Sequence, residues 1–250
     1  KEFDNNEKYG ISKTNGEFIY KVDDILIKIF ADSTVAKNRA KRATSLKNLI
    51  PALQYKGENT YSYRWIPGKT LYDCDDKTVW INFLSWCKEN LWHKENYNIK
   101  SSCETFYRDK TFTRLNKFLS ERDRDFDKEH IINNKRCNSI VHYINQIDWD
   151  YLCDGVATKL FHGDLQFDNV IYDGKSFSLI DWRQSFANST EYGDVYYDLA
   201  KMYGGILMSY KEMKDEENFH LSFIKDQVDI SFKRTKNLIE FEKTFINWVK

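Results

Sequence analysis

The sequence predicts an α+β fold in which a small antiparallel sheet is followed by a larger helical part. Residues 17–30 place β-forming side chains on both sides of the turn-like Asp23-Asp24, which is typical of a hairpin. After residue 70, apolar residues recur every three or four positions, as they do in amphipathic helices. Asp173-Gly174 separates two short runs of β-forming residues and predicts one hairpin inside the helical part.

The N-terminal elements follow one another in short segments. Residues 9–16 are rich in Gly, Ser, Thr and Asn and predict a tight loop, in which Ser12 is a candidate phosphate contact. The hairpin strands come next, and residues 34–49 then predict a basic helix that is capped near Asp32 or Ser33. A further strand is predicted over 61–66, before Pro67-Gly68. We therefore expect one lobe over 1–67.

The second lobe, residues 68–250, is expected to be mainly helical. Helices are predicted over 77–92, 104–119 and 129–147, and from Gly193 to Lys250. Strand character returns between Leu160 and Asp181.

Composition and charge limit the function classes. Lys plus Arg and Asp plus Glu number 38 each, so a formal net charge of zero provides no overall attraction to nucleic acid or anionic membrane. The sequence has no run of 18 apolar residues and no signal-peptide h-region in its first thirty residues. The five cysteines form no CxxC pair, which argues against a disulfide framework and a zinc site. We expect a cytoplasmic protein without nucleic-acid or membrane partners.

The chain begins at Lys1 without a methionine. A processed product, a trimmed chain and one module of a longer polypeptide are all compatible with this start.

The stretch from His162 to Asp181 carries the groups suited to chemistry. Asp164 lies in a predicted loop, where its carboxylate can orient or deprotonate an acceptor hydroxyl. The hairpin that follows Asn169 returns the chain to the same place at Asp181. Magnesium prefers such hard oxygen ligands together with substrate phosphates. These groups predict phosphoryl transfer.

This stretch resembles the aminoglycoside phosphotransferase and choline kinase superfamily. The family signature is His-Gly-Asp, four residues, Asn, a hairpin and Ile-Asp, and the chain matches it from His162 to Asp181. Residues 193–200 also match the family's later pattern of Gly-Asp, a short gap and Asp-Leu-Ala. The resemblance spans about residues 10 to 205. It implies a two-lobed protein-kinase-like fold and an ATP- and Mg²⁺-dependent small-molecule kinase.

The resemblance implies a role for each matching residue. Asp164 would be the catalytic aspartate, and Asn169 and Asp181 would hold magnesium, with Asp181 also bridging to the nucleotide phosphates. Asp198 would accept hydrogen bonds from the catalytic-loop backbone and is therefore structural. We expect His162 to orient the loop, because the proton-transfer role falls to the aspartate.

The first lobe is expected to bind the nucleotide. Kinase-like folds place a lysine on the third strand to bind the α- and β-phosphates, and Lys28 occupies such a strand. Strand alternation puts Leu26 on the same face, where it would touch adenine. Residues 61–68 resemble the family's hinge, which ends in Ile-Pro-Gly and offers backbone hydrogen bonds to adenine. Tyr63 and Trp65 are the nucleotide contacts expected there.

One departure from the family concerns the partner of Lys28. The family usually pairs this lysine with a glutamate from the next helix, yet no acidic residue occurs between Asp32 and Glu58. Either Lys28 has a different partner, such as Asp181, or the assignment of the lysine is wrong. The helix is basic instead, and we expect its charges to form a solvated face.

The expected acceptor is a hydroxyl of a small metabolite. Trp182 and Arg183 are expected at the acceptor site, where a cation favours a sugar, a phosphorylated alcohol or an acid over an amine. Residues 106–114 either line the acceptor pocket or form a solvated helix face. Two alternatives stay open: an inactive nucleotide- or partner-binding module, and a protein-directed kinase. The lack of a long activation segment disfavours the protein-directed kinase.

Overall fold

The computed structural model describes residues 10–11, 16–122, 128–209, 213, 217–224 and 227–250. The strands are β1 Gly10–Ile11, β2 Glu17–Val22, β3 Ile25–Phe30, β4 Leu53–Lys56, β5 Thr60–Arg64, β6 Lys69–Thr70, β7 His130–Ile132, β8 Lys135–Cys137, β9 Ala157–Thr158, β10 Val170–Tyr172, β11 Phe177–Leu179, β12 Gly193–Asp194, β13 Phe219–Ile224 and β14 Gln227–Phe232.

The helices are α1 Ser33–Ser45, α2 Leu71–Cys74, α3 Lys77–Asn90, α4 Lys100–Cys103, α5 Lys110–Arg122, α6 Ile140–Asn145, α7 Trp149–Leu152, α8 Val195–Leu207 and α9 Lys236–Val249. A π-helical segment, Glu104–Asp109, joins α4 to α5, and a 3-10 turn spans Phe167–Asn169. No helix in the described ranges is both long and apolar enough to cross a bilayer.

The N-terminal region is a five-stranded sheet in the order β1-β2-β3-β5-β4. The predicted hairpin is confirmed, because β2 and β3 pair antiparallel across Asp23-Asp24. Helix α1 begins after Asp32, whose side chain accepts a hydrogen bond of 2.8 Å from the Thr34 N–H. It ends at Ser45, before the predicted end at residue 49, and Asn48 has a left-handed φ of +74° that no helix accommodates.

The C-terminal part holds most of the helices and the hairpin between Asn169 and Asp181. The hairpin predicted around Asp173-Gly174 is confirmed as β10 and β11. Strand β6, which follows Pro67-Gly68, pairs with β10 rather than with the N-terminal sheet. One buried cluster runs from Leu26 and Tyr61 to Phe167 and Phe241, so the sheet and the helices share a core.

The helix predicted over residues 129–147 is wrong. Residues 129–147 form β7, β8 and the short α6 instead of one helix. Asn133 and Asn134 both have positive φ, a conformation that asparagine tolerates and that suits a two-residue hairpin turn. The Asn133 side chain also bonds the N–H and the carbonyl of Ile230, a contact between segments 97 residues apart that local periodicity cannot reveal.

The region after Gly193 is likewise not helical throughout. Strands β13 and β14 pair antiparallel, and together with β7 and β8 they form a sheet in the order β13-β14-β7-β8. Phe219, Leu221 and Phe223 alternate with polar residues, so a strand period of two was present in the sequence and was missed.

Candidate active site

The loop that carries Asp164 is fixed from below by a buried carboxylate. Asp198, in the first turn of α8, accepts hydrogen bonds from the backbone N–H groups of His162 (2.7 Å) and Gly163 (2.6 Å). Burial raises the pKa of Asp198 to about 6, although both backbone bonds and the charge of Arg42 oppose that rise. Asp198 therefore holds the loop and does not face a substrate.

Gly163 is required by the path of this loop. Its φ of +84° is a left-handed conformation, and a β-carbon added there would lie 2.6 Å from the Cβ of Arg183. Any larger residue would push apart the two segments that build the site.

His162 is completely buried and joins the same two segments. Its Nδ1 accepts the N–H of Asp164 at 3.2 Å, so its Nε2 carries the proton and donates to the carbonyl of Ile180 at 2.8 Å. Burial lowers the pKa of His162 to about 4, which keeps the ring neutral. A neutral ring with both nitrogens engaged orients the loop.

Asp164 and Asn169 bond each other directly, and backbone hydrogen bonds tie the residues on both sides of Asp181 to the same loop. The Asn169 side-chain amide donates to the Asp164 carbonyl at 2.8 Å and to its carboxylate at 3.2 Å. On either side of Asp181, the Ile180 N–H donates to the Asn169 carbonyl and the Arg183 N–H donates to the His162 carbonyl, each at 2.9 Å. Asp181 itself has a φ of +60° and lies between these two anchors.

This donor set fits magnesium. The Asn169 amide nitrogen is used on Asp164, so its oxygen is the group left to act as a ligand, and Asp181 supplies a carboxylate. Among the described residues no group of three or more His, Cys, Asp and Glu could hold a metal ion. Mg²⁺ does not need such a group, because one or two protein ligands, water and substrate phosphates complete its shell.

Lys28 lies beside Asp181 and is almost fully buried. Its ammonium pairs with the Asp181 carboxylate and lies 3.3 Å from Oε1 of Glu17. Glu17 comes from β2. Lys28 stands opposite Ile19 in the hairpin, so Glu17, two positions from Ile19, is its diagonal neighbour on the same face. The pair with Asp181 matches the alternative partner named from the sequence, whereas Glu17 on the preceding strand was not predicted.

The other predicted nucleotide contacts fall into three situations. Leu26 and Tyr63 are buried partners on adjacent strands, on the same face of the sheet as Lys28. Trp65 lies at the surface, with the Lys21 ammonium 4.3 Å from its ring centroid. The backbone N–H of Trp65 donates to the Asp24 carbonyl at 2.6 Å, so this N–H cannot also bond adenine. Ser12 lies outside the described residues.

No protein-family sequence model matches the chain, and no curated protein sequence matches it. Among solved structures, the complex of gentamicin with APH(2'')-IIa aligns with 96% of this chain and 76% of its own, at a TM-score of 0.52 and 13% identity. The chain has the fold of the aminoglycoside phosphotransferases. The two-lobed kinase-like fold that the motif resemblance implied is thereby confirmed.

Two further similar structures have lower TM-scores. The ADP-bound aminoglycoside phosphotransferase APH(2'')-Ib has a TM-score of 0.49 at 14% identity, covering 76% of this chain and 68% of that chain. Choline kinase from Cryptosporidium parvum Iowa II has a TM-score of 0.43 at 14% identity, covering 97% of this chain and 73% of that chain.

Within the phosphotransferase fold, α1 is joined to the catalytic loop by a buried arginine. The Arg42 guanidinium donates to the carbonyls of Phe161 and Arg183 and lies 3.6 Å from the ring centroid of Phe161. Burial lowers the pKa of Arg42 to about 9, against the opposing charge of Asp198. Arg39 is also mostly buried and lies 3.3 Å from Oε1 of Glu17. The expectation that the charges of α1 form a solvated face is therefore wrong for these two arginines.

Trp182 does not line an acceptor pocket. The side chain is completely buried, stacks on Tyr61 of the N-terminal sheet at 5.7 Å, and donates from its indole N–H to the Arg39 carbonyl at 2.9 Å. The predicted acceptor contact is wrong because the Trp182 side chain packs in the core that the sheet and the helices share.

Lys201 on α8 contacts Asp164, the predicted catalytic aspartate, and this contact was not predicted. Its ammonium lies 2.8 Å from Oδ1 of Asp164, which also accepts a hydrogen bond of 3.1 Å from Gln166. Burial alone would raise the pKa of Asp164, but Lys201, Gln166 and His162 more than offset it, so the pKa lies below its usual value. Lys201 follows Asp198 by three residues on a helix, and this spacing places both on the side that faces the loop.

Arg183 is half-buried beside the loop. Its Nε donates to the Ser185 carbonyl at 3.1 Å, and its guanidinium carbon lies 5.0 Å from the centroid of Phe106. The predicted acceptor contact at Arg183 thus lies next to the π-helical segment that precedes α5.

Proposed function

We propose that the protein transfers the γ-phosphoryl group of ATP to a hydroxyl of a small molecule. The observation that carries this proposal has three parts: Asn169 bonds Asp164, backbone bonds hold the segment around Asp181 against the same loop, and the buried Lys28 pairs with Asp181. A shared fold hosts many activities, so the argument rests on these side chains. They are the groups that phosphoryl transfer requires: an orienting carboxylate, two hard oxygen ligands and a cation for phosphate.

The proposed step forms one bond to the γ-phosphorus and breaks another. The acceptor hydroxyl oxygen forms a bond to the γ-phosphorus as the bond from that phosphorus to the β–γ bridging oxygen breaks. ADP leaves with the electron pair of the broken bond, and the hydroxyl proton passes to the Asp164 carboxylate. Lys201 favours the ionised form of Asp164, which is the form that accepts this proton.

The remaining residues position the nucleotide and its charge. Mg²⁺, held by Asn169 and Asp181 when bound, supplies charge neutralisation to the phosphates. Lys28 would exchange its contact with Asp181 for the α- and β-phosphates, while Glu17 keeps its ammonium at the same place in the sheet.

The test is ADP release from MgATP in the presence of sugars, phosphorylated alcohols, hydroxy acids and amino alcohols. We expect release that depends on one acceptor class and a stoichiometric phosphorylated product. Nucleotide binding without acceptor-dependent release across the whole panel would instead support a nucleotide-binding module.

A further inference from the structure

A cavity of about 290 Å³ opens beside the catalytic loop and is lined by aromatic and cationic residues. Lys110 and Arg114 from α5 lie on its wall with Phe106 and Tyr197. None of the described residues that line it is acidic. Its volume lies just below the range for ligand sites, roughly 300–1,000 Å³, and suits only a small metabolite.

Two cations gather on one ring at the edge of this cavity. The Lys110 ammonium lies 3.9 Å, and the Arg183 guanidinium 5.0 Å, from the centroid of Phe106. Phe106 is itself buried and stacks on Phe186 at 4.4 Å, so the ring is a fixed platform for both cations.

Within the part of the chain that the structure describes, these cations have no ion-pair partner. Lys110, Arg114 and Arg183 form no ion pair with any described residue, whereas the nearby carboxylates are already engaged: Asp164 with Lys201, and Asp109 with Arg108. Burial, together with the charges of Arg183, Arg114 and Lys201, lowers the pKa of Lys110 to about 8. Like charges held together in a half-buried place disfavour one another, and a bound anion would relieve that repulsion.

The cluster is contiguous with the reacting groups. Arg183 lies against Gly163, the residue before Asp164. Tyr197 lines the cavity one helical turn before Lys201, whose ammonium contacts Asp164. A molecule anchored at Lys110 and Arg183 would therefore extend toward the Asp164 carboxylate.

We infer that the phosphate acceptor is a hydroxyl compound with an anionic group, a phosphate monoester or a carboxylate, which Lys110, Arg114 and Arg183 bind. The inference rests on the proposed function for the reaction and adds the acceptor class. The anionic group is not changed in the reaction; a hydroxyl elsewhere in the acceptor attacks the γ-phosphorus, ADP leaves, and the proton passes to Asp164. An amine in the same place would meet three like charges.

Matched pairs of acceptors test the inference. Glycerol is compared with glycerol 3-phosphate and with glycerate, ribose with ribose 5-phosphate, and ethanolamine and choline represent cations. We expect acceptor-dependent ADP release to favour an anionic member over its neutral partner. Comparison of glycerol 3-phosphate with glycerate then shows whether the site prefers a phosphate or a carboxylate.

The test variants are Lys110→Gln and Lys110→Glu. Lys117→Gln is the control, because Lys117 lies on the same helix, is 73% exposed and pairs, among the described residues, only with Glu121. Loss of one hydrogen bond to a charged group should raise the KM for the anionic acceptor by about tenfold or more in Lys110→Gln. Lys110→Glu should raise it further, and Lys117→Gln should leave it unchanged.

Each other outcome has a definite meaning. Preferential turnover of a neutral or cationic acceptor overturns the inference and leaves the proposed function intact. If no compound is turned over, the proposed function fails, and calorimetry of glycerol 3-phosphate, ribose 5-phosphate and glycerate with the nucleotide-free protein decides the inference. Binding that is weakened in Lys110→Gln supports the anion site, and binding that is absent or independent of Lys110 overturns it.

Discussion

Glu17 on strand β2 lies 3.3 Å from the ammonium of Lys28 on strand β3, and the same carboxylate oxygen lies 3.3 Å from Arg39 on α1. Strand β2 therefore supplies the acidic partner of Lys28 that the family usually places on the next helix. Helix α1 instead supplies a cation, Arg39, to the same carboxylate. The chain keeps a buried lysine beside Asp181 without any acidic residue on α1.

Replacing Glu17 should weaken nucleotide binding more than folding. In Glu17→Gln the ammonium of Lys28 loses one of its two carboxylate neighbours and is drawn to Asp181 alone, so it meets the phosphates less readily. Loss of a charged hydrogen bond corresponds to about a tenfold rise in the KM for ATP. Steady-state kinetics measure it, with Glu58→Gln as the control because Glu58 pairs with Lys37 at the surface. An unchanged KM in Glu17→Gln would rule out this role.

Replacing Arg42 should destabilise the protein and disorder the catalytic loop. Arg42→Met leaves the carbonyls of Phe161 and Arg183 without their donor, which costs about 3 kcal/mol in total. For a chain of this size that corresponds to a fall in Tm of roughly 10 °C. Thermal unfolding followed by circular dichroism measures the fall. Lys37→Met, on the exposed side of the same helix, should change Tm little, and equal effects of both variants would contradict the account.

Replacing Lys201 should move the acid limb of the pH–rate profile. Lys201→Gln removes the ion pair that lowers the pKa of Asp164, so burial then dominates and the pKa rises. The carboxylate is the active form and exists above its pKa, so the variant should lose kcat at a higher pH than the wild type as pH falls. Coincident acid limbs in the two profiles would show that Lys201 does not tune Asp164.

Binding of an anionic acceptor should weaken as pH rises through about 8. The Lys110 ammonium is charged below its lowered pKa and neutral above it, so the attraction is complete at lower pH and is lost above about 8. The neighbouring guanidinium groups of Arg114 and Arg183 still attract the anion, so the loss should be partial. KM measured from pH 6.5 to about 9.5 tests this, because Lys110→Arg keeps its charge throughout and should flatten the rise. A rise of equal size in Lys110→Arg would assign the pH effect to another group.

The parts of this structure that local sequence pattern could predict are those set by local geometry. The β2–β3 and β10–β11 hairpins follow from turn residues between β-forming runs. The proposed catalytic residues come from a motif with fixed spacing. The hairpin at Asn133-Asn134 was misread as helix because its turn depends on backbone conformation and on a contact with Ile230. The periodicity of a local window of sequence cannot predict such long-range contacts.

The missed site residues are partners from other elements. Glu17, Arg42 and Lys201 each act across a distance in sequence, on Lys28, Phe161 and Asp164 respectively. Helix spacing and the diagonal neighbours of paired strands indicate which residues can face each other. They identify a particular pair only when the residue on the opposing element is known. Trp182 was misplaced for the same reason, because its neighbour in sequence, Asp181, does not determine which way its own side chain points.

The proposed role of Asp164, to accept the hydroxyl proton during phosphoryl transfer from ATP, is measured most directly by kcat of Asp164→Asn. With an acceptor identified from the panel, we predict that kcat falls by about 100-fold or more while ATP affinity by calorimetry changes little. Asp150→Asn, a carboxylate that is 89% exposed, should retain the wild-type kcat. An unchanged kcat in Asp164→Asn, with the fold intact, would contradict the account.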